Sequence, residues 1–249
     1  MKRLLSLFTA ILIILSCTPT YAVDNKNSEA IAKQLLGLCH RKQVFLLGET
    51  HQNPMSQELF LSLVRNLLGQ GKHVFVGLEI SSDQQSNLDA LLAGSTGSEL
   101  RLYPAIDHSA YRNMLKQLGD YPKSVLTVAA IDAAVRENNR DEIMARAIID
   151  AVSSQKFTAI TVLVGNLHAI KEIKWHPESA ASTRYLAERL VEKGMDVCSV
   201  MQDFTTKDAP VILSGQTPEK AAMSLDIIKS TYHAEDMTGD SVTDAIVVW

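Results

Sequence analysis

One feature restricts the fold more than any other: short, continuous apolar runs alternate with amphipathic helical stretches. Val44-Phe45-Leu46-Leu47 stops at Gly48, and Asn53-Pro54 then opens a helix whose apolar face is Met55, Leu59, Leu63 and Leu67. The plan repeats. Runs at 73–78, 124–131, 158–164 and 197–201 read as further strands, and helices are expected near Asp83, from Ser109 to about Leu118, from Asn139 and from Ser182 to Gly194. Strands apolar on both faces belong to a parallel sheet covered by helices. The expected fold is a three-layer α/β/α arrangement with a mostly parallel sheet of about five strands. Val211-Ile212-Leu213 and residues 245–249 are candidates for extra edge strands.

The N-terminus stands apart. Met1-Lys2-Arg3 precedes an apolar run from Leu4 to Leu15, which reads as a signal peptide of about 22 residues and is short for a bilayer span. Two processing sites compete: a cut after Ala22, or lipidation of Cys17 within Leu15-Ser16-Cys17, where Leu15 is large for a lipobox. The mature chain, 24–249, is expected to be one domain, periplasmic or tethered to the outer membrane by lipid. Export permits a disulfide, but nothing in the pattern pairs Cys39 with Cys198, so two separately packed thiols are expected. The net charge of −4, with acids and bases interleaved, argues against a nucleic-acid partner. Oligomeric state is not legible.

In an open parallel sheet, ligands bind beyond the carboxyl ends of the strands. The residues that follow the apolar runs are Gly48-Glu49-Thr50-His51, then Glu79, then Asp132 with Arg136 and Arg140, then Gly165-Asn166-Leu167-His168, then Gln202-Asp203. Acids and imidazoles therefore collect at one edge. Glu49, His51, Glu79 and His168 are the expected core of one site, in which Glu and His can exchange protons near neutral pH. Glu49, His51 and His168 could instead hold a divalent metal. There is no H-E-x-x-H helix, G-x-S-x-G elbow, glycine-rich phosphate loop or CxxC pair.

The stretch LLGETHQNPMSQ, the strand ending GLEI and the following DQQSNLDALLAG resemble the ChaN-like haem-binding lipoproteins, in a superfamily with Tiki-type proteases and erythromycin esterases. The matching positions are Gly48, Glu49, His51, Glu79, Gln84, Gln85, Leu88, Asp89, Leu92 and Gly94, with Arg140, Asp141, Met144, Ala145, Gly165 and His168 in the second half. The resemblance spans about 42–203 and is strongest over 46–94. It implies a mostly parallel sheet with the first strand central, lipid attachment, and haem binding linked to iron uptake. Haem needs an apolar slot, an axial ligand and cations for its propionates. Candidate ligands are His51, His108, Tyr111 and His168; candidate propionate partners are Arg136 and Arg140. The alternative is a hydrolase, esterase-like or metal-dependent, with His51 and Glu79 catalytic and Glu49 and His168 beside them.

Overall fold

The computed structural model describes residues 25–95, 97, 99–134, 139–172, 184–205, 209–229 and 242–249. The expected signal peptide, Cys17, Arg136 and the helix start at Ser182 lie outside these residues. Among the described residues no helix is long and apolar enough to cross a membrane.

The chain alternates as the apolar runs require. α1 (Asn25–Leu38) leads into β1 (Val44–Glu49), then α2 (Pro54–Gly69), β2 (Val74–Ser81), α3 (Gln85–Leu92), α4 (Ser109–Gly119), β3 (Leu126–Asp132), α5 (Arg140–Ser153), β4 (Ala159–Gly165), α6 (Leu186–Glu192), β5 (Val197–Asp203), β6 (Val211–Ser214), α7 (Pro218–Lys229) and β7 (Ala245–Val248). Among the described residues the sheet has seven strands rather than five, in the order β3-β2-β4-β1-β5-β7-β6. β1 is central. Both candidate edge strands join the sheet: β7 runs parallel to β5, and β6 pairs antiparallel to β7.

Two apolar layers flank the sheet. On one face α1, α2 and α4 bury Leu35, Leu59, Leu63, Tyr111 and Leu115 against Leu47, Val76 and Leu78. On the other, α5 and α6 bury Met144, Ile148, Leu186 and Leu190 against Leu46, Val162 and Val164. Alternate residues of β1 and β4 thus feed opposite layers, which is why these strands read as continuous apolar runs. The connection leaving β1 crosses to β2 over one face, and that leaving β4 crosses to β5 over the other. The adjacent ends of β1 and β4 are therefore where the chain parts and a crevice opens.

Two local devices bear on the motifs. Gln85 caps the open edge of β3: its Nε2 donates to the Val128 carbonyl at 3.2 Å and its Oε1 accepts from the Ala130 amide at 2.7 Å, as a neighbouring strand would. Asp83 is not a helix cap; it sits in a 3-10 turn and accepts from the Ser81 hydroxyl at 2.5 Å.

The expectation of two separate thiols is overturned. Cys39 and Cys198 form a disulfide with a Cα–Cα separation of 5.7 Å. β5 lies beside β1 with Cys198 in register with Phe45, and Cys39 follows the end of α1 just before β1. Strand order, which the sequence does not reveal, brings the two together.

Candidate functional site

Glu49 is the last residue of β1. It is only 3% exposed, and both its oxygens are engaged. Oε1 lies 3.0 Å from His51 Nδ1, and Oε2 accepts from Gln57 Nε2 on the first turn of α2. A carboxylate on Nδ1 fixes that nitrogen as the N–H, leaving the Nε2 lone pair for chemistry. The His51 side chain remains 40% exposed. Its Nε2 edge lies over Gly165: a Cβ placed there would come within 3.3 Å of His51 Nε2 and 3.6 Å of Glu79 Oε2. The hydrogen bond to Glu49 raises the His51 pKa above its ordinary 6.5, burial works against this, and the nearby Glu79 adds to it.

Beneath His51 is a buried array of charge. Glu79 Oε2 accepts from the Gly165 amide at 2.7 Å, and Oε1 accepts from Arg140 at 2.6 Å. Arg140, at the start of α5, also forks onto fully buried Asp132 at 2.9 and 2.5 Å. His168 Nδ1 lies 2.6 Å from Asp141, and its Nε2 faces Glu79 at 3.5 Å. Burial penalises the charge on Glu79, but His168, Arg140 and the Gly165 amide outweigh that penalty and hold its pKa low. Burial likewise opposes the charge on His168, and Asp141 and Glu79 together overcome it, so the ring is an imidazolium at neutral pH.

Asn166 and Gln202 stitch the strand ends together. Asn166 Nδ2 donates to the Gln202 carbonyl at 2.8 Å, and the Gln202 amide donates to Asn166 Oδ1 at 3.0 Å. Gln202 Nε2 donates to the Gly48 carbonyl at 2.7 Å, and Trp249 Nε1 donates to Gln202 Oε1 at 3.0 Å. Gly48 has to be glycine here, because a Cβ would lie 2.6 Å from Asn166 Oδ1 and 2.9 Å from its Cα.

A cleft of about 540 Å³ opens above this floor, within the range of small-molecule sites, roughly 300–1,000 Å³. Glu49, His51, Gly165 and His168 line its base, Leu167, Met223 and Ile227 form an apolar wall, and Asp203 and Asp226 stand among its acids. The structure thus brings Glu49, His51, Glu79, Asp132, Arg140 and His168 together at the predicted edge.

Several individual roles differ from expectation. Arg140 is committed to Asp132 and Glu79, so it is an internal counter-ion and not a free propionate partner. Neither His108 nor Tyr111 is among the cleft-lining residues. Tyr111 is 1% exposed within the core, and His108 precedes α4, its pKa lowered by burial. The metal set Glu49, His51 and His168 is not supported: both nitrogens of His168 face acids, and no cluster of three or more His, Cys, Asp or Glu among the described residues could hold a metal. Sequence reading assigns no chemical role to Gln57, Asp141, Met223 or Ile227, although Gln57 closes the LLGETHQNPMSQ stretch and Asp141 is a matching position of the resemblance. Met223 and Ile227 are spaced i, i+4 on α7, a signal that was available; Gln57 and Asp141 needed the tertiary fold.

Residues 35–127 match the family model described as haem-binding uptake, Tiki superfamily, ChaN. This stretch is ChaN-like. It contains Glu49, His51 and Glu79, the positions on which the resemblance rested. None of the curated proteins compared with the chain matches it. Among solved structures, a variant of the erythromycin esterase EreC in its open conformation aligns with a TM-score of 0.59 at 14% identity, covering 87% of this chain and 92% of that one. A Bacillus cereus protein aligns at 0.60 and 11% identity, covering 92% and 93%. ChaN of Campylobacter jejuni, solved with cofacially bound haem, reaches 0.47 at 16% identity over 88% and 90%, a score too low to equate the two folds. The esterase and the Bacillus protein share this chain's fold.

Proposed function

We propose that this is an exported haem-binding protein of the uptake type, taking haem or a similar iron porphyrin as cargo in the cleft beyond β1 and β4. The observation that carries this is the anchored imidazole. His51 is fixed through Nδ1 by Glu49, stays part-exposed, and stands at the base of a cleft with an apolar wall of Leu167, Met223 and Ile227. A neutral imidazole supported by a carboxylate is a good axial ligand to iron. The ChaN match over 35–127 supports the same ligand class.

The fit has a direction. An imidazole and an apolar wall are present, but no Lys or Arg is among the described residues lining the cleft, while Asp203 and Asp226 are. A porphyrin therefore enters with its apolar edge toward Met223 and Ile227 and its propionates toward solvent. His168 is excluded as a ligand because acids hold both its nitrogens. The N-terminal signal and the Cys39–Cys198 disulfide support export, since such bonds persist in oxidising compartments.

One observation favours the hydrolase alternative. The Glu49–His51 pair, with Glu79 beside its Nε2 edge, is also the arrangement of a general base oriented by a carboxylate. The two readings separate by titrating the chain from Val23 onward with haemin and following absorbance. A saturable Soret shift that disappears in His51→Ala is expected. No shift, together with ester hydrolysis lost in His51→Ala and Glu79→Gln, would replace the haem reading with the hydrolase.

A further inference from the structure

We infer that Gln57 is a positioning residue: it fixes Glu49, and through Glu49 holds His51 in the Nδ1–H tautomer with Nε2 left for the ligand. Gln57 stands on the first turn of α2, eight residues after Glu49, and the tight turn around Asn53-Pro54 brings it back over the strand end. It is 1% exposed, and its carboxamide Nε2 donates to Glu49 Oε2. The other oxygen of Glu49 receives His51 Nδ1 at 3.0 Å. The carboxylate is thus held from both sides, one donor on each oxygen, and cannot rotate away from the ring without losing both.

A purely structural role fits this residue poorly. The other Gln57 amide atom, Oε1, is buried and finds no hydrogen-bond partner among the described residues. Leaving a buried carbonyl unpaired costs about 1–3 kcal/mol, which an apolar side chain at this core position would avoid. What distinguishes Gln here is the donor it presents to Glu49. A neutral donor also leaves the charge of the Glu49–His51 pair unchanged, which a lysine or an acid would not. The other titratable groups near the pair are Glu79 and His168 across the floor, and His108 and Tyr111 at the start of α4. Among the described residues, the side chains that hydrogen-bond to Glu49 are those of His51 and Gln57.

This inference concerns the same imidazole as the haem reading, but its test needs no haem. Histidine side-chain nitrogen NMR on the ligand-free protein reads the tautomer directly. At a pH well above its raised pKa, where the ring is neutral, the wild type is expected to show His51 mainly as the Nδ1–H form. In Gln57→Leu the ratio of Nδ1–H to Nε2–H is expected to fall about tenfold, the scale of one hydrogen bond to a charged group. Gln57→Asn, polar but one methylene short of Glu49, is expected to behave alike and serves if the leucine variant does not fold. An unchanged tautomer ratio in a folded variant would overturn the role of Gln57, whatever haemin does. A shifted ratio without haemin binding would leave Gln57 in place and remove only the haem reading.

Discussion

Reducing the Cys39–Cys198 disulfide is expected to lower stability substantially, and the structure sets the scale. The bond closes a loop with a sequence separation of 159 residues. In the chain-entropy treatment a loop of that length restricts the unfolded ensemble by about 5 kcal/mol. A domain of this kind has roughly 5–15 kcal/mol in total, so the bridge is a large share of it. The other contribution of α1 to the core, Ile31, Ala32 and Leu35, survives reduction. The assay is urea unfolding followed by circular dichroism, with and without reductant, alongside a Cys39→Ala/Cys198→Ala variant. With a slope of about 2–3 kcal/mol per molar urea, the midpoint is expected to fall by about 2 M. The double variant is expected to fall further, because Cys198 is almost fully buried and alanine leaves a void. A midpoint that moves by less than about 0.5 M on verified reduction would refute the argument.

The buried Glu79–His168 contact makes stability depend on pH from both sides. Glu79 falls from 4.5 to about 2, so its contribution is complete above 4.5 and is lost as pH drops toward 2. His168 rises from 6.5 to about 10, so its contribution is complete below 6.5 and is lost as pH climbs toward 10. Urea midpoints should therefore peak between these inner limits, and Glu79→Gln should flatten the acid limb. Gly48→Ala is expected to destabilise by about 1–3 kcal/mol, because its Cβ meets the Asn166 backbone as well as its side chain; thermal unfolding of that variant checks it. Neutralising the acidic cleft residues with Asp203→Asn and Asp226→Asn is expected to tighten haemin binding about threefold at low ionic strength and less at high salt, which absorbance titration would show.

How much of this was legible depended on whether the signal was local. β1 to β5 announced themselves as apolar runs, and the residues after each run gave the edge where Glu49, Glu79, Asp132 and His168 meet. That worked because a strand followed by a helix places its last residue at the carboxyl edge, whatever the strand order. Order itself was not legible, and the disulfide was missed for that reason: only β5 lying beside β1 brings Cys198 to Cys39. Arg140 reads as a free cation in sequence because its charge is visible there and its two carboxylate partners are not. Gln57 closes the LLGETHQNPMSQ stretch, but it carries no charge and sits within an ordinary helical pattern, so its contact with Glu49 is not legible.

The remaining question is what the raised pKa of His51 does to ligand binding, and it gives a test with a definite sign. Iron binds the neutral imidazole, so a protonated His51 must lose its proton before it can ligate. The hydrogen bond to Glu49 holds the His51 pKa above 6.5 against the opposing effect of burial. Haemin affinity should therefore fall as pH drops below that raised value, by about tenfold per unit well below it. Glu49 both orients the ring and stabilises its protonated form, and these two effects act in different directions. In Glu49→Gln the acid limb of the binding curve should move to lower pH, because the charge that favoured the imidazolium is gone. Affinity on the plateau should fall as well, because the amide holds Nδ1–H less firmly than a carboxylate. A merely misfolded site would lower the plateau and leave the limb where it was. If the limb does not move, Glu49 does not set the protonation of His51, and the pairing at 3.0 Å is not what prepares this imidazole.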